Sequence, residues 1–307
     1  MTARIGIIGY GEAGRAFGAG LAKAGAAVAT HDILVPTRDG AAIRANAATD
    51  GVAVCATAAK AIAGAGIVLS LVPADAARAV AIEAAGHLQA EQLFMDMNSV
   101  SPREKETGAA IVGAAGARYV EATIMEPVIE NGAASEVLLA GPAAAKAKEI
   151  LSPYGMVLAI VGDRFGAAAA VKLCRSVIVK GFEAIVVESM LAARQYGADG
   201  AVLASLQKSD PEIDWAARAD YVFERVLRHG RRRAAEMRFA GEAVSDAGYP
   251  PRMSDAIAAL QDAMADHADA DRSLFGLADY KVSADRIGAS MQNSGEAADS
   301  VQLRETG

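Results

Sequence analysis

Gly9, Gly11 and Gly14 stand in the spacing G-x-G-x-x-G, directly after the apolar run Arg4–Gly9 and at the head of an alanine-rich, helix-like stretch. Each glycine has a physical task. Gly9 permits a tight turn, Gly11 lets the backbone approach a pyrophosphate, and Gly14 lets the following helix pack closely on its strand. Glu12 and Ala13 fill the interval and open that helix. Its first N–H groups and partial positive charge suit a phosphate. In a chain with 30 glycines the spacing alone is a weak signal, and a glycine turn without a ligand is the plain alternative. Asp32 tips the balance. It closes the second apolar run, where a carboxylate accepts hydrogen bonds from the hydroxyls of an adenosine ribose. An acid there repels a 2′-phosphate, so NAD is expected over NADP, although Thr37 and Arg38 close behind act against that preference.

A second group of reactive residues lies far downstream. Lys172, Ser176 and Lys180 recur every four residues within the strongly apolar segment Gly166–Glu183, and so share one helical face with Arg175 beside it. A lysine in such a segment either snorkels to water or faces a polar cavity. In a cavity, desolvation lowers its pKa, and it can exchange a proton with a substrate hydroxyl near neutral pH. Spacing alone leaves both readings open. Arg228, His229 and Arg231 to Arg233 form a basic cluster. It reads either as a solvated helix face paired with Glu224 and Glu236, or as the source of an arginine, with Arg232 the candidate, or of His229 for an anionic substrate group. The histidines are scattered and the acids between Asp262 and Asp271 read as a solvated helix end, so no metal is expected. There is no G-x-S-x-G elbow to anchor hydrolase chemistry.

The elements that must hold these residues are legible from periodicity. Short aliphatic runs at Arg4–Gly9, Ala27–Asp32, Ile67–Val72, Leu93–Met97, Arg118–Thr123, Glu136–Ala140 and Met156–Val161 read as strands. Helical stretches at Ala13–Ala24, Ala74–Leu88, Pro102–Ala115 and Pro142–Leu151 lie between them. Alternation of this kind predicts a doubly wound, mostly parallel sheet covered on both faces. After Val161 the pattern is helical, beginning with a long helix over Phe165–Tyr196. The boundary is expected near Gly162–Gly166, giving a nucleotide-binding domain over 1–163 and an all-helical domain over 164–307. The tail from about residue 282 carries little structural signal, so disorder is expected there.

Composition sets outer limits. Of 307 residues, 53% are hydrophobic and only 22% charged, too apolar for a disordered chain. The formal charge of −7 argues against a general nucleic-acid binder. No run is long enough to span a bilayer and no basic-then-apolar leader opens the chain, so a cytoplasmic protein without a membrane partner is expected. Cys55 and Cys174 lie among apolar residues and read as inert core thiols of a reducing compartment.

Taken in order, several segments resemble the β-hydroxyacid dehydrogenases, relatives of 3-hydroxyisobutyrate and 6-phosphogluconate dehydrogenases. They are the glycine turn with Ala19–Gly25 behind it, Leu71-Val-Pro73, Asp96-Met-Asn98-Ser99-Val-Ser-Pro102, and the Lys172 helix. Gly11-Glu-Ala-Gly14 and Arg232-Arg-Ala-Ala-Glu-Met237 look most like a less characterised branch whose C-terminal domain resembles that of 6-phosphogluconate dehydrogenase. The resemblance covers roughly residues 3–265. It implies a Rossmann domain followed by an all-α domain, a nicotinamide cofactor, a small-molecule substrate, and a homodimer or higher homo-oligomer. It assigns Gly9, Gly11, Gly14 and Asp32 to the cofactor, Leu71, Val72 and Pro73 to the cofactor-lining loop, and Asn98 and Ser99 to the nicotinamide side. Lys172 matches the family's acid/base, expected here for reversible hydride transfer on a hydroxy-acid-like alcohol or carbonyl.

Two departures bear on the substrate. The family's loop D-A-P-V-S-G-G, whose serine and glycines hold a substrate carboxylate, is replaced by Glu121-Ala-Thr-Ile-Met125-Glu126-Pro127. Pro127 lacks an N–H and Glu126 would repel a carboxylate. The asparagine four residues after the lysine is Ser176, and Arg175 before it either supplies an anion contact or pairs with an acid. Decarboxylating relatives carry an acid seven residues beyond the lysine, where this chain has Val179, so simple hydride transfer is favoured over oxidative decarboxylation. Two rivals stay open: a reductase of a carbonyl or imine without a carboxylate, and a cofactor-binding sensor without turnover.

Overall fold

The computed structural model describes residues 2–291. Its strands are β1 (Arg4–Ile8), β2 (Ala27–His31), β3 (Ala53–Val54), β4 (Ile67–Ser70), β5 (Leu93–Asp96), β6 (Arg118–Ile124), β7 (Val137–Ala140) and β8 (Leu158–Gly162). Helices α1 (Glu12–Lys23), α2 (Gly40–Thr49), α3 (Ala58–Ile62), α4 (Ala77–Ala85), α5 (Pro102–Ala114), α6 (Val128–Asn131) and α7 (Ala144–Leu151) lie between them. One sheet results, in the order β3-β2-β1-β4-β5-β6-β7-β8. Every neighbouring pair is parallel except β6 and β7, which run antiparallel. The order reverses between β1 and β4, and in such sheets ligands bind beyond the C-terminal strand ends at that point. Alternate residues enter two cores. Ile5 and Ile7 join Phe17 and Leu21 on one face, while Ile8, Val68 and Phe94 join Ala61 and Val112 on the other.

The helical part comprises α8 (Ala167–Gln195), α9 (Asp199–Ser209), α10 (Trp215–Asp246) and α11 (Arg252–Ala270). Its main core contains Val187, Met190, Phe223, Val226, Met264 and Tyr280.

Some expectations need correcting. A strand of two residues, β3, extends the sheet edge beyond the seven runs read from sequence, being too short to show a pattern. Residues 280–291 are helical, so the tail does not lose structure at 282. Tyr280, Ala284 and Ile287 fall on one helical face and are buried. The remainder of that tail, 292–307, lies outside the described residues. The chain divides into compact units at Lys172 and Leu173, inside α8 rather than ahead of it. Cys174 is exposed rather than a core thiol, because it falls on the outward stripe of α8 with Val171 and Ile178.

Candidate active site

The glycine turn joins β1 to α1 as its spacing requires. Gly9 has φ +91°, and a Cβ there would lie 2.3 Å from the Leu71 carbonyl oxygen, so both conformation and space demand glycine. A Cβ on Gly14 would lie 2.0 Å from the Gly9 carbonyl oxygen. Gly11 differs: a Cβ there would meet nothing within 4 Å. The fold itself does not ask for glycine at this position, whereas a pyrophosphate approaching the backbone would. Gly11 caps α1 without a side chain, leaving the first-turn N–H groups at Glu12, Ala13 and Gly14 without a side-chain cap. Between the glycines, Tyr10 turns inward and its hydroxyl donates to Asp50, which also holds Arg15. Burial pushes the Tyr10 phenol above its usual range.

Asp32 sits where β2 ends. Its Oδ2 accepts from the Tyr10 N–H at 2.7 Å and its Oδ1 from the Leu34 N–H at 2.9 Å. The carboxylate thus locks the glycine turn to β2, and each oxygen keeps a second lone pair for a ribose hydroxyl. Thr37 and Arg38 are both exposed just beyond it. These residues fit a dinucleotide: an uncapped helix start, a glycine with open space, and an anchored acid.

At the neighbouring strand ends, Asn98 does more than sequence reading assigned to it. Its Oδ1 accepts from the Val72 N–H at 2.7 Å, its Nδ2 donates to Ser70 Oγ at 3.0 Å, and its own N–H donates to Asp96 Oδ1 at 2.9 Å. The buried amide therefore staples the Leu71-Val72-Pro73 loop to the turn after β5. Leu71 is buried, Val72 half-buried and Pro73 exposed.

The next residue in that turn, Ser99, is exposed, and its Oγ accepts a hydrogen bond from Lys172 Nζ at 2.9 Å. Two residues 73 positions apart thus meet beyond the end of β5. Lys172 is held there by the start of α8. Gly166, at φ +90°, would place a Cβ 2.9 Å from Pro102, so α8 starts tightly against the head of α5. Sequence reading missed what fixes this helix start. Glu121, on β6 and wholly buried, accepts from the Gly166 N–H and from the Ala169 N–H at 2.7 Å. The signal was present: a charged residue amid the apolar strand Arg118–Ile124.

The remaining candidates are more dispersed. Met125 packs beside Leu138, Ala140 and Ala168, and so close to the start of α8. Glu126 is exposed and takes a hydrogen bond from Asn131 Nδ2 at 2.6 Å. Arg175 is exposed and Ser176 half-buried one turn beyond Lys172, in the second unit. Arg232, also in that unit, pairs with Glu236 at 3.0 Å, and the cluster around it is likewise paired: Arg228 with Glu224, Arg233 with Glu183, and Arg231 with Asp266. Among the described residues no group of histidine, cysteine and carboxylate side chains could hold a metal ion. No described helix is long and apolar enough to cross a membrane.

Comparison with known proteins agrees with this geometry. Residues 4–162, about half of the chain, match the NAD binding domain of 6-phosphogluconate dehydrogenase. Residues 193–264 match a domain of unknown function, DUF1932. No curated protein matches the chain significantly. Among solved structures, a conserved hypothetical protein from Sinorhizobium meliloti 1021 is 35% identical, with a TM-score of 0.85 over 94% of this chain and 96% of that one. MTH1747, a conserved protein of unknown function described as structurally similar to 3-hydroxyacid dehydrogenases, is 26% identical, with a TM-score of 0.76 over 86% and 97%. The 3-hydroxyisobutyrate dehydrogenase of Mycobacterium tuberculosis, solved with L-serine, shares the fold at 21% identity and a TM-score of 0.71 over 94% and 99%. The chain belongs to the β-hydroxyacid dehydrogenase superfamily of NAD(P)-dependent oxidoreductases.

Proposed function

We propose that the protein is a dehydrogenase that interconverts an alcohol and a carbonyl on a small hydroxy-acid-like substrate, with Lys172 as general acid and base. The observation that carries this reading is the 2.9 Å hydrogen bond from Lys172 Nζ to the exposed Ser99 Oγ, beyond the sheet end beside the switch point. The nicotinamide cofactor, when bound, supplies the hydride acceptor or donor. Gly9, Gly11, Gly14 and the first-turn N–H groups of α1 hold its phosphates, and Asp32 holds its adenosine ribose. Lys172 accepts the proton of the substrate hydroxyl during oxidation and returns it to the carbonyl oxygen during reduction. Ser99 orients the oxygen that Lys172 serves, and Asn98 keeps the Ser99 turn in register with the cofactor loop.

A Lys172→Ala variant is expected to lose turnover by about 10²–10⁴-fold, the usual worth of a positioned acid/base. Its affinity for NADH, read by fluorescence titration, should stay within about twofold. The assay panel comprises 3-hydroxyisobutyrate, L-serine and a cyclic ketone with a primary amine. Unchanged turnover in the variant overturns the role of Lys172. Tight NADH binding with no turnover across a broad panel favours the sensor. Turnover confined to the ketone and amine favours the carboxylate-free rival, which the exposed Glu126 and the missing Pro127 N–H support.

The anchored Asp32 carboxylate supports NAD as the preferred cofactor. Asp32→Asn should weaken NADH more than NADPH, and the reverse order would refute the preference. The apolar stripe that α8 leaves uncovered, with Ile178 at 75% and Ile185 at 61% exposure, supports a homodimer, and light scattering at monomer mass would exclude it.

A further inference from the structure

Glu121 is wholly enclosed, and its cross-strand partner in the sheet register is another buried acid, Asp96. The two carboxyls receive different partners. Asp96 accepts from Lys105 Nζ at 3.0 Å, from Tyr119 OH at 2.7 Å and from the Asn98 N–H. The Lys105 ammonium also donates to the carbonyl oxygens of Asp96 and Ala122. Glu121 instead spends both carboxylate oxygens on backbone N–H groups at the start of α8. The Gly166 carbonyl accepts from the Ala170 N–H, so Gly166 is the residue at which the helix begins and Ala169 lies in its first turn. A helix usually caps these two N–H positions with side chains of its own first turn, but Gly166 and Ala169 have none that can accept. Glu121 supplies the whole cap from a strand 45 residues away.

This arrangement is an odd choice for stability alone. Burial holds the Glu121 carboxyl above the usual glutamate range, so the folded state resists the charge that the cap requires. What the cap does accomplish is positional. It sets the height and rotation of the first turn of α8, and Lys172 lies one turn further along the same helix. The adjoining Asp96, through the Asn98 N–H, fixes the turn that carries Ser99.

We infer that Glu121 is a positioning residue that holds Lys172 in register with Ser99 by capping α8 from β6, an inference that rests on the acid/base reading of Lys172. Glu121→Gln keeps the shape and one accepting oxygen, but places an NH₂ against one of the two N–H groups. Glu121→Asp keeps the charge but retracts it by one methylene, and serves as the second probe if the glutamine variant folds poorly.

Three readouts decide the matter. In the turnover assay with whichever panel substrate reacts, either variant should lower kcat by about 10–100-fold while the NADH dissociation constant stays within about twofold. Combined with Lys172→Ala, it should slow the reaction no further than Lys172→Ala alone, because both changes remove one function. Independently of any substrate, the rate at which acetic anhydride acetylates Lys172, read by mass spectrometry across a pH series, should change in the variant while that of the surface residue Lys146 does not. Wild-type kcat and unaltered Lys172 labelling in both variants would overturn the inference. So would a loss that adds to that of Lys172→Ala, or one that weakens NADH in proportion, since a merely structural cap predicts those. Full activity in Lys172→Ala alone would instead overturn the acid/base reading, so the two failures are distinguishable.

Discussion

Two buried ionic networks, one in each unit, show how differently the same kinds of side chain are used. In the first, Lys105 at 0% exposure is surrounded by the Asp96 carboxylate and two backbone carbonyls, and Tyr119 and Asn98 complete the Asp96 shell. In the second, Glu183 and Arg233 pair between α8 and α10, Arg225 lies 3.3 Å from Glu183, and Lys180 reaches Glu236 at 2.9 Å. The first network makes many of its bonds to backbone and so fixes where loops and a helix start. The second joins side chain to side chain and ties two helices together. There the fit is looser: Arg233 Nε is buried without a hydrogen-bond partner, and burial lowers the pKa of both Lys180 and Arg233. Enclosed charges that grip backbone can set a site, whereas those that grip one another mainly set a packing angle.

Removing one ion from each network breaks the comparison most sharply. Lys105→Met leaves Asp96 facing Glu121 without a cation and should cost about 3–5 kcal/mol in denaturant unfolding. Arg233→Met leaves Glu183 with Arg225 still nearby, so a loss of roughly 2 kcal/mol is expected. Equal losses would show that the second network is as tightly integrated as the first. A smaller effect separates the two through pH. The carboxyl of Glu121 is raised in the folded protein, so the folded state binds its proton more tightly than the unfolded state does. Below the ordinary glutamate range both states are protonated and there is no cost. As pH rises from there through the raised native value, stability falls, and above it the full cost is present. Wild-type stability relative to Glu121→Gln should therefore decline with rising pH across that window. An improving ratio would mean that Glu121 gains more from its cap than it loses to burial.

The sequence carried the sheet, the glycine turn and the long helix because each repeats a local pattern. Continuous aliphatic runs and three spaced glycines need no distant partner to be recognised. What stayed hidden was long-range. Lys105 sits in the highly charged segment Arg103-Glu-Lys-Glu106 of a helical stretch, where nothing local marks it for burial, yet its side chain is fully enclosed. Glu121 fell within the stretch that corresponds to a substrate loop, where attention went to Glu126 and Pro127, and nothing local ties its carboxylate to a helix start 45 residues on. The meeting of Ser99 with Lys172 was approachable only through resemblance, since no spacing rule connects them. Ala53–Val54 was too brief to carry a period. Ala284 and Ile287 were masked by the polar residues around them, although their spacing from Tyr280 is helical.

The openness beside Gly11 has a use of its own. Gly9 and Gly14 are enforced by the protein's own backbone, so a descendant that had abandoned nucleotides would still be obliged to keep them. Gly11 is under no such obligation. Among relatives that retain this fold, its replacement by a residue with a side chain would be the economical marker of a lost cofactor, while the other two glycines testify only to the survival of the turn.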